Sequence, residues 1–408
     1  MVTADSMTTE PATEPNIVAG EAKPGPVVLQ ILPALETGGV ERGTVDIAAA
    51  LVAAGGTALV ASSGGHMVRE VQRAGATHLT LPVDSKNPFV MRANVGRLCR
   101  VIAEHGVDLV HARSRAPAWS ALAATRAAGV PLVTTFHGTY GVGWPGKRWY
   151  NSVMTRGVRV IAISQFIADH VMSVYGTGPE RVRVIPRGMD IRIFDPKSVS
   201  AERLIRLSNR WRLPDGAPVI MLPGRITGWK GQHVLVEAMA RLGRRDVRCL
   251  LVGENQLHAG YLRKLDSRIQ RLGLADTVHI VGHCDDMAAA YMLADVVVST
   301  SVKAEAFGRI VAEAQAMGRP VIATDQGAAR ETLVAGETGW LVPPGDASAL
   351  VDALKDALAI DAAAREILAE RAVHHVRANF TRELMCSRTL EVYAEVLAEG
   401  TRPATTGP

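Results

Sequence analysis

Short runs rich in Val, Ile and Leu alternate along the chain with stretches whose apolar residues recur at helical spacing, and this alternation limits the fold more than any other feature. In the first half it predicts strands over 27–32, 57–61, 107–110, 131–136, 159–163 and 181–185, with helices over 40–54, 88–105, 116–128 and 165–174. Such β-α-β alternation belongs to parallel, doubly wound sheets with right-handed crossovers. The pattern breaks around 187–216, where Asp195-Pro196, Pro214 and Gly216 bracket a basic helix expected over 201–212. A second alternation follows. Its strands are expected over 219–222, 248–252, 278–281, 296–299 and 321–323, and its helices over 232–242, 261–272, 308–317 and 347–358. The tail, 365–397, reads as one or two helices. The expected fold class is α/β, with two Rossmann-like parallel-sheet domains, 27–195 and 196–381, facing a cleft.

At 408 residues the chain is long enough for two cores. Its 48% hydrophobic and 21% charged content suits a soluble globular enzyme, and with only 4% aromatic residues the cores fall to Ala, Val, Leu and Gly. The formal net charge of +5 favours anionic ligands or a membrane surface. Nucleic acid is not an expected partner, because the chain has no zinc-finger spacing, RNP-like motif or long Lys/Arg run. Cys99, Cys249, Cys284 and Cys386 form no C-x-x-C pair, which points to free thiols in a reducing compartment. Residues 1–26, rich in Thr, Pro, Ala and Glu, read as a disordered leader without the apolar core of a secretory signal. The longest apolar candidate, 45–61, contains Asp46 and the Gly55-Gly56 break, so no run reaches membrane-spanning length.

Four constellations could carry chemistry. In 295–318 a valine-rich strand runs through a polar loop holding Glu305 into a helix that begins near Phe307 and Gly308. Strand-to-helix turns of this kind expose backbone N–H groups that suit a phosphate. Glu313 shares the packed stripe of Ile310 and Met317, so it needs a hydrogen-bonding partner, either within the protein or on a nucleotide's hydroxyls. Gly38-Gly39 follows the first strand and opens a helix, but it is not G-x-G-x-x-G, and a plain tight turn reads equally well. His137 sits at a strand's carboxyl end, where it would be structural or would meet a sugar hydroxyl. Arg225 and Lys230 flank a glycine-rich turn at a helix start, which suits a diphosphate leaving group. No Asp-x-Asp occurs, and Asp285-Asp286 reads as a helix cap, so no metal site is expected.

The segment EAFGRIVAE, from Glu305 to Glu313, is similar to the E-x7-E motif of the retaining glycosyltransferases of family 4, which have the GT-B fold. Gly224-Arg225, Lys230-Gly231, Leu251-Val252-Gly253, Ala294-Asp295-Val296 and Gly345-Asp346 agree with it, and the resemblance spans roughly 27–395. It implies that Glu313 holds the ribose and Glu305 the donor sugar. It also implies that N–H groups near Phe307 and Gly308, with Arg225 and Lys230, meet the diphosphate. His137 resembles the family's sugar-contacting histidine, and Gly38-Gly39 its donor-loop glycines. The resemblance further implies a nucleotide-sugar donor, a saccharide or lipid-linked acceptor bound by 27–195, and a helix over 382–399 that returns to that domain. No metal or other cofactor is implied, and the setting would be lipopolysaccharide, exopolysaccharide or glycolipid synthesis. Trp144, Lys147, Arg148, Trp149, Tyr150, Arg156 and Arg159 form a basic-aromatic stretch that suits a peripheral contact with the inner membrane face, or simply a solvated helix. The rival expectations are a nucleotide-sugar hydrolase or epimerase of the same fold, and a sugar-nucleotide-binding subunit without turnover.

Overall fold

A computed structural model describes residues 25–141, 143–254 and 259–400. Most of the expected leader lies outside this range. Its last two residues do not, and Pro26 is already tied down, its carbonyl accepting a hydrogen bond from Thr57 N at 2.9 Å.

The first half forms a seven-stranded sheet from β1 (Val27–Ile31), β2 (Thr57–Ser62), β3 (Thr77–Thr80), β4 (Leu109–Ala112), β5 (Leu132–Phe136), β6 (Arg159–Ala162) and β7 (Val182–Val184). Their order is β3-β2-β1-β4-β5-β6-β7 and every pairing is parallel. The second half forms a six-stranded parallel sheet from β8 (Val219–Pro223), β9 (Arg248–Val252), β10 (Val278–Gly282), β11 (Val296–Ser299), β12 (Val321–Thr324) and β13 (Trp340–Val342), in the order β10-β9-β8-β11-β12-β13. Each sheet is wound both ways from its first strand, so chain order reverses between β1 and β4 and again between β8 and β11. Buried Leu29, Val110, Leu222 and Val298 belong to cores covered by helices on both faces.

Local chemistry fixes where the helices start and stop. Helix Pro88–His105 begins where Asn87 Oδ1 accepts from Phe89 N at 2.9 Å and ends at Gly106, whose φ of 59° suits glycine. Asp286 caps helix Met287–Leu293 by accepting from Ala289 N, at the helix start expected there, while Asp285 pairs with His283 Nε2 at 2.9 Å. The two unexpected strands, β3 and β13, are short.

The halves are joined beyond the linker. Helix Arg382–Gly400 packs on helix Gly39–Ala53 of the first half, with Tyr393 Oη 2.6 Å from His111 Nδ1 of β4 and Glu395 paired with Arg159 at 2.9 Å. Phe307 enters the first core and meets Phe380 edge-on, their centroids 5.4 Å apart. The Glu331 carboxylate accepts from Gln165 N at 2.6 Å and Phe166 N at 2.7 Å, a negative charge on the N-terminus of helix Gln165–Tyr175. Among the described residues no helix is long and apolar enough to cross a membrane.

Candidate active site

In open α/β sheets a ligand sits beyond the carboxyl ends of the strands, where the winding reverses. The candidate residues follow β1, β5, β8 and β11, at or beside the two reversal points. Gly38 and Gly39 open the helix after β1. A Cβ on Gly39 would stand 1.8 Å from Arg187 Nη1, so the close approach of that guanidinium requires glycine.

In the second half the β8 and β11 loops lock together. A Cβ on Gly231 would lie 1.8 Å from the Thr300 carbonyl oxygen, and Thr300 Oγ1 donates to the Gly231 carbonyl at 2.9 Å. Through this contact Lys230 and Glu305 form an ion pair, Nζ to Oε1 2.7 Å, with side chains 10% and 19% exposed. Ser301 Oγ also donates to Glu305 Oε1, and Lys230 Nζ lies 4.6 Å from the Trp229 ring centroid. Gly308, at φ 80°, caps helix Arg309–Ala316 and lies beside Glu305 in the same small recess. Arg225 is exposed, and its carbonyl accepts from Gln232 Nε2 at 2.9 Å.

Glu313 has found its partners within the protein. Its carboxylate accepts from Tyr291 Oη at 2.9 Å and from Arg309 Nη2 at 2.7 Å, and the side chain is 9% exposed. Burial and the neighbouring Glu313 charge push the Tyr291 hydroxyl's pKa well above its usual range, so it remains a donor. Tyr291 was not singled out from the sequence, although the start of its helix was read at Asp285-Asp286. Lys230, expected to face a diphosphate, is likewise held by Glu305.

His137 lies apart from these carboxylates, in a cavity of about 380 Å³ between the halves. Gly39, Arg113, Arg187 and Arg309 also line it. Burial first, then the charges of Arg187 and Arg113, hold the imidazole's pKa well below its ordinary value, so it is neutral at physiological pH. Arg187 Nη2 donates to His137 Nδ1 at 3.3 Å, and a neutral imidazole whose Nδ1 accepts must carry its proton on Nε2. That Nε2–H is buried and has no partner. Arg113 and Arg187 escaped sequence reading. The available signal was a cation just beyond a wholly buried strand, as in His111-Ala112-Arg113.

Two family profiles match the chain in tandem, "Glycosyltransferase Family 4" over residues 37–192 and "Glycosyl transferases group 1" over 205–375. A D-inositol 3-phosphate glycosyltransferase of Catenulispora acidiphila is 30% identical over 72% of this chain and 73% of its own. The chain belongs to the group 1, family 4 glycosyltransferases. A phosphatidyl-myo-inositol mannosyltransferase of Mycobacterium leprae is 30% identical over 75% of this glycosyltransferase and 78% of its own length. A crystal structure of a glycosyltransferase from Rickettsia africae superposes with a TM-score of 0.86 at 38% identity, covering 91% of this chain and 99% of that one. The GT-B architecture of two facing parallel-sheet halves agrees with that likeness.

Proposed function

We propose that this glycosyltransferase moves a sugar from a nucleotide-sugar donor to an acceptor with retention of configuration, and that the donor sits at the β8/β11 reversal. The observation that carries the reading is the largely buried Lys230–Glu305 pair beside the Gly308 helix start. An arriving diphosphate takes Lys230, with Arg225 and the helix N–H groups, as charge-assisted partners. Glu305, released, accepts from the donor sugar's hydroxyls. Glu313 accepts from the ribose with the lone pairs that Tyr291 and Arg309 leave open. His137 Nε2–H points to a sugar oxygen. With Glu305 on the donor sugar's hydroxyls and Glu313 on the ribose, neither carboxylate is left to act as the nucleophile of a double displacement. The anomeric C–O bond to phosphate breaks, the acceptor oxygen attacks the same face, and its proton passes to the departing phosphate.

Phe89, Trp144 and Trp149 are exposed, with exposed Lys147 and Arg148 near the last two, a composition suited to anionic headgroups. This supports a lipid-linked acceptor at the inner membrane face, in glycolipid synthesis of the kind that the phosphatidyl-inositol relative's name indicates. Retention of the protein on anionic vesicles at low salt tests that contact.

Calorimetry with UDP, GDP and ADP tests the donor site. One of them should bind, and its 2′-deoxy analogue should bind about tenfold more weakly, the scale of one lost hydrogen bond to a charged group. Glu313→Gln should narrow that gap. No binding by any of the three overturns the reading, and an unchanged gap removes Glu313 from the ribose.

A further inference from the structure

We infer that the sugar on the donor is a hexuronic acid, its carboxylate held by Arg113 and Arg187 in the cavity between the halves. The inference rests on the glycosyltransferase reading and names the class of its donor. Five arginines line the cavity, and three are matched by carboxylates. Arg42 meets Glu70 at 2.6 Å, Arg309 meets Glu313 at 2.7 Å, and Arg382 meets Asp190 at 2.9 Å. Arg113 and Arg187 enter no ion pair among the described residues. The remaining carboxyl of the lining, Asp46, feels Arg42 and Arg382 ahead of Arg113. Arg113 is 3% exposed, reaches only Gln30 Oε1 at 3.4 Å, and leaves its Nε without a partner. Arg187 spends one N–H on His137. Buried guanidiniums without a counter-charge are costly, and their burial lowers the proton affinity of both groups, that of Arg187 to a pKa of about 10.

The cavity belongs to the sugar end of the donor. Gly39 leaves room for the Arg187 guanidinium, which donates to Nδ1 of His137, the residue proposed above to meet a sugar oxygen. Arg309 lines the cavity too, and it pairs with the carboxylate proposed for the ribose. Arg225 and Lys230, the cations proposed for the diphosphate, are not among the lining residues. With ribose and diphosphate seated at the β8/β11 reversal, the sugar ring is the part left to enter, and about 380 Å³ has room for one. A neutral hexose would bring only hydroxyls to this wall and leave both buried guanidinium charges unanswered. A hexuronate carries a planar carboxylate at C6, whose two oxygens match the fork of a guanidinium and accept charge-assisted bonds from it. Arg187, beyond β7, and Arg113 Nε, beyond β4, take those oxygens, while His137 Nε2–H, beyond β5, takes a ring hydroxyl.

Calorimetry tests this without an acceptor, comparing UDP-glucuronate with UDP-glucose and GDP-mannuronate with GDP-mannose. On the base that the protein accepts, the uronate should bind at least about tenfold more tightly than the hexose, the scale of one hydrogen bond to a charged group. Arg187→Gln should erase the preference while affinity for the bare nucleoside diphosphate stays within about twofold of wild type, less than one such bond. Arg113→Gln should behave alike, and if it does not fold, the half-buried Arg187 still decides. Equal binding of uronate and hexose by the wild-type protein overturns the inference and leaves the nucleotide seat standing. A loss of nucleoside diphosphate binding in Arg187→Gln overturns it as well, because the guanidinium then serves the phosphates. Free glucuronate and mannuronate give a readout that needs no nucleotide. They should raise the wild-type melting temperature more than glucose and mannose do, and lose that effect in Arg187→Gln. If neither donor pair binds, the donor assignment fails and the free uronates decide the carboxylate site by themselves. A shift that Arg187→Gln abolishes then sustains the site, and no shift refutes it.

Discussion

The two halves of the cleft hold their charges in opposite ways. On the β8/β11 side Lys230, Glu305 and Glu313 are already paired, whereas in the cavity beside β4, β5 and β7 Arg113 and Arg187 form no ion pair among the described residues, and Arg113 Nε and His137 Nε2–H have no hydrogen-bond partner. A paired site is stable without ligand and must exchange partners to bind one. An unpaired site is organised in advance and weakens the fold until it is filled. The proposed donor seat about Lys230 and Glu305 is of the first kind and the cavity about His137 of the second.

The largest expected effect tests the exchange itself. Glu305→Ala should lower kcat by about 10²–10³-fold, the range seen when one preorganised polar contact to a reacting centre is lost. Nucleoside diphosphate affinity should hold or improve, because Lys230 is freed. A wild-type kcat with only a lowered melting temperature makes the pair structural and collapses the distinction between the halves.

Next comes the stability cost of burying a carboxyl at the cavity's edge. Burial raises the Asp46 carboxyl from 3.8 to about 6, against the pull of Arg42 and Arg382. Between those values the folded state holds a proton that the unfolded chain has released, so stability falls as pH rises from about 4 to about 6 and stays lower above it. Asp46→Asn should therefore stabilise the protein by at most about 3 kcal/mol at pH 7.5 and by only about 1 kcal/mol at pH 4.5. Lowered His111 and His137 pKa values act in the opposite sense, removing stability as pH falls below about 6.5, but they are common to both proteins. Thermal melts at the two pH values read the difference, and an equal gain at both refutes it.

How legible each half was follows from the same contrast. Strands β9 and β11 were readable residue for residue because buried parallel strands are continuous apolar runs. Strand β3 was not, since Thr77–Thr80 is half-exposed and carries no such run. Glu305 and Gly308 were legible because one short motif carries both, and Lys230 because a second, the glycine-rich turn after β8, carries it. The Arg113–Arg187–His137 set was not, because it draws single residues from beyond three strands and only the sheet order makes them neighbours. Partners were the hardest to read. The tyrosine that satisfies Glu313 lies 22 positions upstream, in a helix of seven residues without a clear period.

The smallest effect sharpens the comparison most. Lys230→Ala should weaken nucleoside diphosphate binding by roughly tenfold, near the lower end of the 1.5–3 kcal/mol for a charge-assisted bond, because binding must first take Lys230 from Glu305. Calorimetry on Lys230→Ala, Glu305→Ala and the double variant closes a cycle. If Glu305 opposes the diphosphate only by holding Lys230, the double variant should bind like Lys230→Ala alone, and the gain in Glu305→Ala should vanish with the lysine. Additive changes instead make the two residues independent, and the donor side would then be preorganised like the cavity opposite it.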